Sequence, residues 1–152
     1  MTVHSPVTMM MVDDNVDEIF LTRRQMQSQG FTNKFVAERK SENLIAALEE
    51  MAPVKVVGTA VDQAGALHWL IDSGNRCDIA IIDIFLRQGS GMGVLRALYA
   101  AEAPFERVVL TNYATADIRR QCLALGASAV FDKSGEIDAL VDHCVARAAR
   151  PA

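Results

Sequence analysis

Short apolar runs alternate with helix-like patterns from one end of this sequence to the other. Between the runs, apolar residues recur every three or four positions, as on the buried stripe of an amphipathic helix. Alternating strand and helix signals predict a parallel sheet covered by helices on both faces. We therefore expect an α/β fold, a three-layer sandwich around a central parallel sheet. The predicted strands are 8–13, 34–37, 54–58, 78–84, 107–111 and 127–131.

Capping residues mark the starts of several predicted helices. Asn15, Ser41 and Asp62 each precede a helical pattern, and each side chain can accept a hydrogen bond from the first helical turn. Glu18 stands three residues after Asn15, where it can complete a capping box. The six predicted helices span about 15–30, 41–53, 62–74, 92–102, 115–125 and 136–148.

The size of the chain indicates a single domain. It has 152 residues, of which 51% are hydrophobic, and this is enough to form one core. We predict a domain over 8–150, preceded by a disordered leader over 1–7. No linker or second domain is predicted after the last helix, so an output function is expected on a separate protein.

Charge and cysteine content exclude several classes of protein. A net charge of −4 offers no basic surface for nucleic acid, and no apolar run is long enough to cross a membrane. The three cysteines form no Cys-x-x-Cys pair, which is typical of reduced thiols in a cytosolic protein. We expect a cytoplasmic protein that binds neither nucleic acid nor a membrane.

Five polar residues stand at the ends of predicted strands. They are Asp13, Asp14, Asp83, Thr111 and Lys133. In open α/β sheets, ligands bind outside the carboxyl ends of the strands. Three carboxylates at that edge would repel one another without a cation, and Mg²⁺ prefers oxygen ligands. The set therefore predicts a site for a divalent cation and a phosphoryl group.

Asp83 is the best candidate for a nucleophile in this set. It directly follows the most apolar of the predicted strands, and an aspartate can form an acyl phosphate. Thr111 and Lys133 could contact phosphoryl oxygens, because phosphoryl transfer relies mainly on positioning and charge stabilisation.

With these motifs, the chain resembles the receiver domain of two-component response regulators. The resemblance implies a flavodoxin-like fold of five strands and a phosphorylation-controlled switch rather than an enzyme. The stretches that carry it are Val12-Asp13-Asp14-Asn15, Ile81-Ile82-Asp83, Val109-Leu110-Thr111 and Phe131-Asp132-Lys133-Ser134.

The resemblance also implies roles for individual residues. Asp83 would accept a phosphoryl group from a sensor histidine kinase or a phosphotransfer protein. Mg²⁺, or Mn²⁺, would be bound by Asp13, Asp14, Asp83 and the backbone carbonyl of Phe85. Thr111 and Lys133 would contact the phosphoryl group. The added charge would then act as the switch, and the resemblance also allows a homodimer.

Some positions depart from the family pattern. Val130 stands where an aromatic switch residue is usual, although Tyr113 could supply a mobile ring. Asn112 replaces a small residue, and Ser134 replaces a frequent proline. These departures leave open an alternative function, a pseudo-receiver that is not phosphorylated and acts as a protein-binding module.

The spacing of the motifs leaves room for one extra βα unit. Asp83 follows Asp14 by 69 positions, and the chain resembles a fusion of two receiver types. In one arrangement, the first strand lies in the centre of the sheet and its aspartates complete the pocket. In the other, strand 34–37 takes that place and Glu38 is the alternative acidic residue of the pocket. The first is favoured, because Arg39 would repel a cation in the second.

A glycine-rich stretch follows the Asp83 strand. Its sequence is a weak match to a dinucleotide-binding loop, but it follows the wrong strand for that role. We interpret it as a flexible loop at the active site. The stretch reads Gly89-Ser90-Gly91-Met92-Gly93.

Overall fold

The computed structural model describes residues 7–13 and 54–149. Within these ranges, five parallel strands form one sheet in the order β2-β1-β3-β4-β5. This is the flavodoxin-like order. The strands are β1 (Val7–Val12), β2 (Val54–Ala60), β3 (Ile79–Ile82), β4 (Glu106–Thr111) and β5 (Ala129–Asp132).

Four helices follow strands β2 to β5 in the described part of the chain. Side chains of Asp62, Ser90 and Thr115 accept hydrogen bonds from the first turns of three of them. The first helix continues into a π-helical turn over His68–Asp72. The helices are α1 (Gln63–Leu67), α2 (Gly91–Ala100), α3 (Ala116–Ala124) and α4 (Ile137–Ala149).

Strand β3 and residues 9–12 of β1 are apolar at every position because both faces of these central strands are covered. In β1, Met9 and Met11 pack against one apolar cluster, and Met10 and Val12 pack against the other. This division follows from the two-residue period of a strand. The first cluster includes the apolar side of α4, and the second includes those of α1, α2 and α3. The predicted three-layer arrangement is confirmed.

The position of β1 decides between the two arrangements that the sequence left open. Residues 9–12 pair in parallel with residues 79–82 of β3, and β1 pairs on its other side with β2. The first strand is therefore central, and Asp13 lies beside Asp83. The predicted strand 34–37, Glu38 and the two helices predicted before residue 54 lie outside the described residues.

Most element boundaries differ from the sequence prediction by a few residues, and two of the differences are informative. Strand β1 begins at Val7, inside the predicted leader, because Val7 pairs with Val54 and is buried. The helix predicted over 62–74 is α-helical only to Leu67 before its π-helical turn. No helix among the described residues is long and apolar enough to cross a membrane.

Candidate phosphoryl and cation site

Backbone pairing brings two carboxylates to the carboxyl edge of the sheet. Asp13 follows β1, and its N–H donates to the carbonyl oxygen of Ala60 at 3.0 Å. Asp83 follows β3, and its N–H donates to the carbonyl oxygen of Val12 at 2.9 Å. Each aspartate thus continues the ladder of its strand by one bond. Their side chains are placed at the same level of the sheet because β1 and β3 are neighbours.

Lys133 connects these two carboxylates. Its Nζ donates to Asp13 Oδ2 at 2.5 Å and to Asp83 Oδ2 at 3.0 Å. All three side chains are almost fully buried, with exposed fractions of 8% or less. One ammonium group therefore neutralises only part of the charge of two buried carboxylates.

Burial controls the electrostatics of Asp83. It raises the pKa of the Asp83 carboxyl, and the nearby carboxylate of Asp13 adds to the increase. Lys133 lowers this pKa by its charge and its hydrogen bond, and the Phe85 N–H lowers it further, yet the net shift is upward. An additional cation beside Asp83 would favour its ionised form, which is the form that can act as a nucleophile.

Thr111 ends β4 at the same edge. It is fully buried, and its hydroxyl oxygen accepts a hydrogen bond from the Tyr113 N–H at 3.4 Å. Its carbonyl oxygen accepts from the Lys133 N–H at 2.9 Å, which fixes the start of the β5–α4 loop against β4. The sheet thus brings together four of the predicted residues: Asp13, Asp83, Thr111 and Lys133.

Two exposed aromatic rings stand next to this group. Phe85 and Tyr113 contact each other edge to face, with ring centroids 5.0 Å apart. Their exposed fractions are 49% and 62%. Val130, at the position where an aromatic residue is usual, is buried in the second apolar cluster. Tyr113, which the sequence suggested as a substitute for the aromatic switch residue, therefore lies on the surface and contacts Phe85.

The donor set fits a hard divalent cation. Asp13 and Asp83 supply carboxylate oxygens, and the backbone of Phe85 lies against Asp83, because its N–H donates to Asp83 Oδ1 at 3.1 Å. Asp14 lies outside the described residues. Within the described residues, no three or more metal-binding side chains form a group. Two carboxylates and a carbonyl are nevertheless ligands that Mg²⁺ accepts together with water.

The sequence analysis did not identify the residues that hold the Lys133 loop. Arg119 donates from Nη1 to the Val130 carbonyl oxygen at 2.9 Å and from Nη2 to Glu136 Oε1 at 2.5 Å. Glu136 Oε1 also accepts from the Asp132 N–H at 2.9 Å. This cluster connects α3 to both ends of the loop that carries Lys133. Hydrophobic periodicity contains no signal for such a long-range polar contact.

Comparison with known proteins identifies a matching family and several similar folds. The profile of the response regulator receiver domain matches residues 40–144. The chain is similar in structure to a LuxR-family two-component response regulator from Aurantimonas sp. SI85-9A1. That pair shows 20% identity and a TM-score of 0.67, covering 95% of this chain and 86% of the other. A comparison with curated proteins found no match.

Two further solved structures are similar over most of the chain. One is the phosphorylated cyanobacterial phytochrome response regulator RcpA, with 18% identity and a TM-score of 0.60, covering 93% of this chain and 91% of that one. The other is the Mn²⁺-bound form of response regulator Rcp1, with 16% identity and a TM-score of 0.59, covering 93% and 91%.

The strand order defines an open α/β domain, and its buried charged group lies at the carboxyl edge between β1 and β3, where the strand order reverses. The profile match covers more than half of the sequence. The chain belongs to the response regulator receiver domain family of two-component signalling. The resemblance inferred from the sequence motifs is confirmed.

Proposed function

We propose that Asp83 is the phosphoacceptor of this receiver domain and that a divalent cation, Mg²⁺ or Mn²⁺, assists the transfer. The observation that carries the proposal is the contact of Lys133 Nζ with both Asp13 and Asp83 at the carboxyl edge of the sheet. A buried ammonium group beside a buried carboxylate is suited to stabilise new negative charge at that carboxylate.

The proposed donor is a histidine kinase or a phosphotransfer protein. One carboxylate oxygen of Asp83 forms a bond to phosphorus while the bond from phosphorus to the donor imidazole nitrogen breaks. The electron pair of that bond returns to the imidazole, which takes up a proton. The product is an acyl phosphate on Asp83, and the chain is a signalling switch that a separate output protein reads.

Each residue of the site has a distinct proposed role. Asp13 and Asp83, with Asp14 and the carbonyl of Phe85, would hold the cation, which would supply positive charge to neutralise phosphoryl oxygens. Lys133 forms an ion pair with the phosphoryl group. The Thr111 hydroxyl donates a hydrogen bond to it. Because Lys133 already contacts Asp13 and Asp83, phosphorylation must redistribute these contacts, and this is the local event of the switch.

The test is labelling with a small acyl phosphate donor, acetyl phosphate, with and without Mg²⁺. Mass spectrometry should show one phosphoryl group on the wild-type protein only when Mg²⁺ is present, and none on Asp83→Asn. Asp72→Asn is a matched control, because Asp72 is an exposed carboxylate at the last position of the π-helical turn. Absence of label on a folded wild-type protein, or label that persists in Asp83→Asn, would contradict the proposal.

A second candidate is a binding module on the same fold that is not phosphorylated. The residue at the aromatic switch position favours it. That residue is the buried Val130, so this position has no aromatic ring that could move together with Thr111. In that case, Lys133 would only neutralise Asp13 and Asp83. Partner binding that is equal for wild type and Asp83→Asn, together with no labelling, would support this second function.

A further inference from the structure

Gln63, the first residue of α1, contacts the far end of the loop that follows Asp83. Its side-chain Oε1 accepts a hydrogen bond from the Ser90 N–H at 2.9 Å. Its own backbone N–H donates to the carbonyl oxygen of Gln88 at 3.3 Å. The backbone and the side chain of one residue thus both hold the last part of the β3–α2 loop.

Two glycines leave the space that the Gln63 side chain fills. A Cβ atom at Gly89 would lie 2.4 Å from the Gln63 Cβ, and one at Gly93 would lie 2.6 Å from the Gln63 side-chain amide. Gly89 also has a φ of +76°, which disfavours any other residue there. The glycine-rich stretch therefore has a steric role in this contact, which the interpretation as a flexible loop did not include.

The near end of the same loop is anchored to the candidate phosphoacceptor. The Phe85 N–H donates to Asp83 Oδ1 at 3.1 Å, and the Gly91 N–H closes the loop by donating to the Ile84 carbonyl oxygen at 2.9 Å. The loop is thus held at one end by the Asp83 carboxylate and at the other by Gln63.

We propose that Gln63 is a positioning residue for cation binding, which fixes the β3–α2 loop so that the backbone of Phe85 stays against the Asp83 carboxylate. This inference rests on the proposed function, because it concerns the cation of that site. Gln63 does not itself bind the cation or the phosphoryl group. It acts through Ser90 and Gln88, as outer partners orient the ligands of many metal sites.

Loss of such an outer contact should lower the affinity for the metal without preventing phosphoryl transfer once the metal is bound. Substitution of outer partners typically costs roughly 10- to 100-fold in metal affinity. We expect the lower end here, because Asp13 and Asp83 are positioned by the strand ladders and do not depend on the loop. Saturating Mg²⁺ should then restore the full extent of phosphorylation.

The experiment compares Gln63→Leu, Gln63→Ala and Gln63→Glu with wild type. Gln63→Leu removes the acceptor at similar volume, Gln63→Ala removes it without filling the space, and Gln63→Glu retains an acceptor oxygen. Gln121→Leu is the matched control, because Gln121 is an exposed helical glutamine whose amide donates to Asp117 at 2.7 Å.

Three quantities are measured on each protein. They are the exchange rate of the Ser90 amide hydrogen, the Mg²⁺ dissociation constant of the unphosphorylated protein by calorimetry, and acetyl phosphate labelling at limiting and saturating Mg²⁺. We expect Gln63→Leu and Gln63→Ala to exchange faster at Ser90 and to bind Mg²⁺ roughly tenfold more weakly, with full labelling at saturation. Gln63→Glu should restore the slow exchange at Ser90, and the control should match wild type.

The outcomes separate this inference from the proposed function. Mg²⁺ affinity unchanged in Gln63→Leu and Gln63→Ala, or unchanged exchange at Ser90, overturns the positioning role while phosphorylation of Asp83 stands. A wild-type protein that binds no Mg²⁺ removes the cation from the proposed function and the positioning role with it. Labelling that remains low at saturating Mg²⁺ would also contradict the inference, since Gln63 would then affect more than cation binding.

Discussion

Lys133 Nζ lies 2.5 Å from Asp13 Oδ2, although 120 positions separate the two residues in the sequence. The same ammonium group contacts Asp83 Oδ2 at 3.0 Å. Three different strands thus supply the charged groups of one buried site. Because two carboxylates share one ammonium group, loss of the ammonium group affects both of them, whereas loss of one carboxylate leaves the other paired.

Removal of the ammonium group should destabilise the protein. Lys133→Met removes the ammonium group that contacts two buried carboxylates, and breaking a buried ion pair in this way costs about 3–5 kcal/mol. We expect this loss in the free energy of unfolding at neutral pH without Mg²⁺, measured by urea denaturation. The loss should decrease at acid pH, where Asp83, whose pKa is raised by burial, is protonated.

Lys55→Met provides the control for this change, because Lys55 is exposed on the edge strand β2. Its effect should stay within roughly 0.5 kcal/mol. Equal effects of the two substitutions would show that the Lys133 contacts contribute nothing beyond those of a surface lysine.

Neutralising Asp83 should stabilise the protein in the absence of a divalent cation. Burial raises the pKa of this carboxyl, so the folded state opposes its ionisation. A raised carboxyl pKa contributes stability that is fully present below the pKa of the unfolded state, about 3.9. This contribution is lost as the pH rises through the pKa of Asp83 in the folded state. Asp83→Asn has no carboxyl group to ionise at this position, so it does not lose this stability as the pH rises. Asp13 still pairs with Lys133 in the variant.

We therefore expect Asp83→Asn to have a higher free energy of unfolding than wild type at pH 7 and an equal one near pH 3. Urea denaturation across this range measures the difference. Millimolar Mg²⁺ should reduce it, because only wild type retains the Asp83 ligand. A variant that is less stable than wild type at pH 7 without Mg²⁺ would contradict this expectation.

A methyl group at Gly91 should disturb the loop at Asp83. A Cβ atom there would lie 2.0 Å from the Asp83 carbonyl oxygen, and backbone atoms cannot move aside as a side chain can. We expect Gly91→Ala to lower the free energy of unfolding by roughly 3 kcal/mol or more.

Gly135→Ala is the matched control for Gly91→Ala. No atom lies within 4 Å of the Cβ that it would add, and Gly135 is not among the glycines with positive φ. Its effect should be within roughly 0.5 kcal/mol. Thermal denaturation of both variants tests the contrast, and similar melting temperatures would count against the close approach at Gly91.

The contact of Arg119 with Glu136 should make stability depend on pH. The hydrogen bond from Arg119 lowers the pKa of Glu136 in the folded state. The contact therefore stabilises the fold at pH values above the pKa of an unfolded glutamate, about 4.3. This contribution is lost as the pH falls through the pKa of Glu136 in the folded state. Arg119→Met also leaves the Val130 carbonyl oxygen without this donor. Because the two side chains are 35% and 38% exposed, solvent screens the pair, and we expect a loss of about 1 kcal/mol at pH 7 that decreases below about pH 4.

Arg120→Met is the corresponding control, since Arg120 pairs with Asp117 on the solvent side of α3 and has an exposed fraction of 73%. Exposed pairs of this kind contribute about 0–1 kcal/mol. Urea denaturation at pH 7 and pH 3.5 distinguishes the two arginines. A loss in Arg119→Met that does not change with pH would exclude the ion pair as its cause.

The local features of this protein follow from its sequence. The apolar runs predict every described strand to within a few residues, because a strand buried on both faces must be apolar at successive positions. Asp62 caps α1 as its side-chain type predicts, since capping needs only an acceptor within the first helical turn. Asp83, Thr111 and Lys133 meet at one edge because parallel strands all end there.

Tertiary structure decided which strand lies beside β3, where the charged residues of the sequence only favoured the first strand. Residues 8–13 and 34–37 are both short apolar runs, and periodicity does not specify the neighbour of a strand. Pairing of β1 with β2 and β3 places Asp13 in the site despite the long separation from Asp83. The contacts of Gln63 with Ser90 and of Arg119 with Glu136 were also not predictable. Each joins residues distant in the sequence, and its energy depends on distances that exist only in the folded chain.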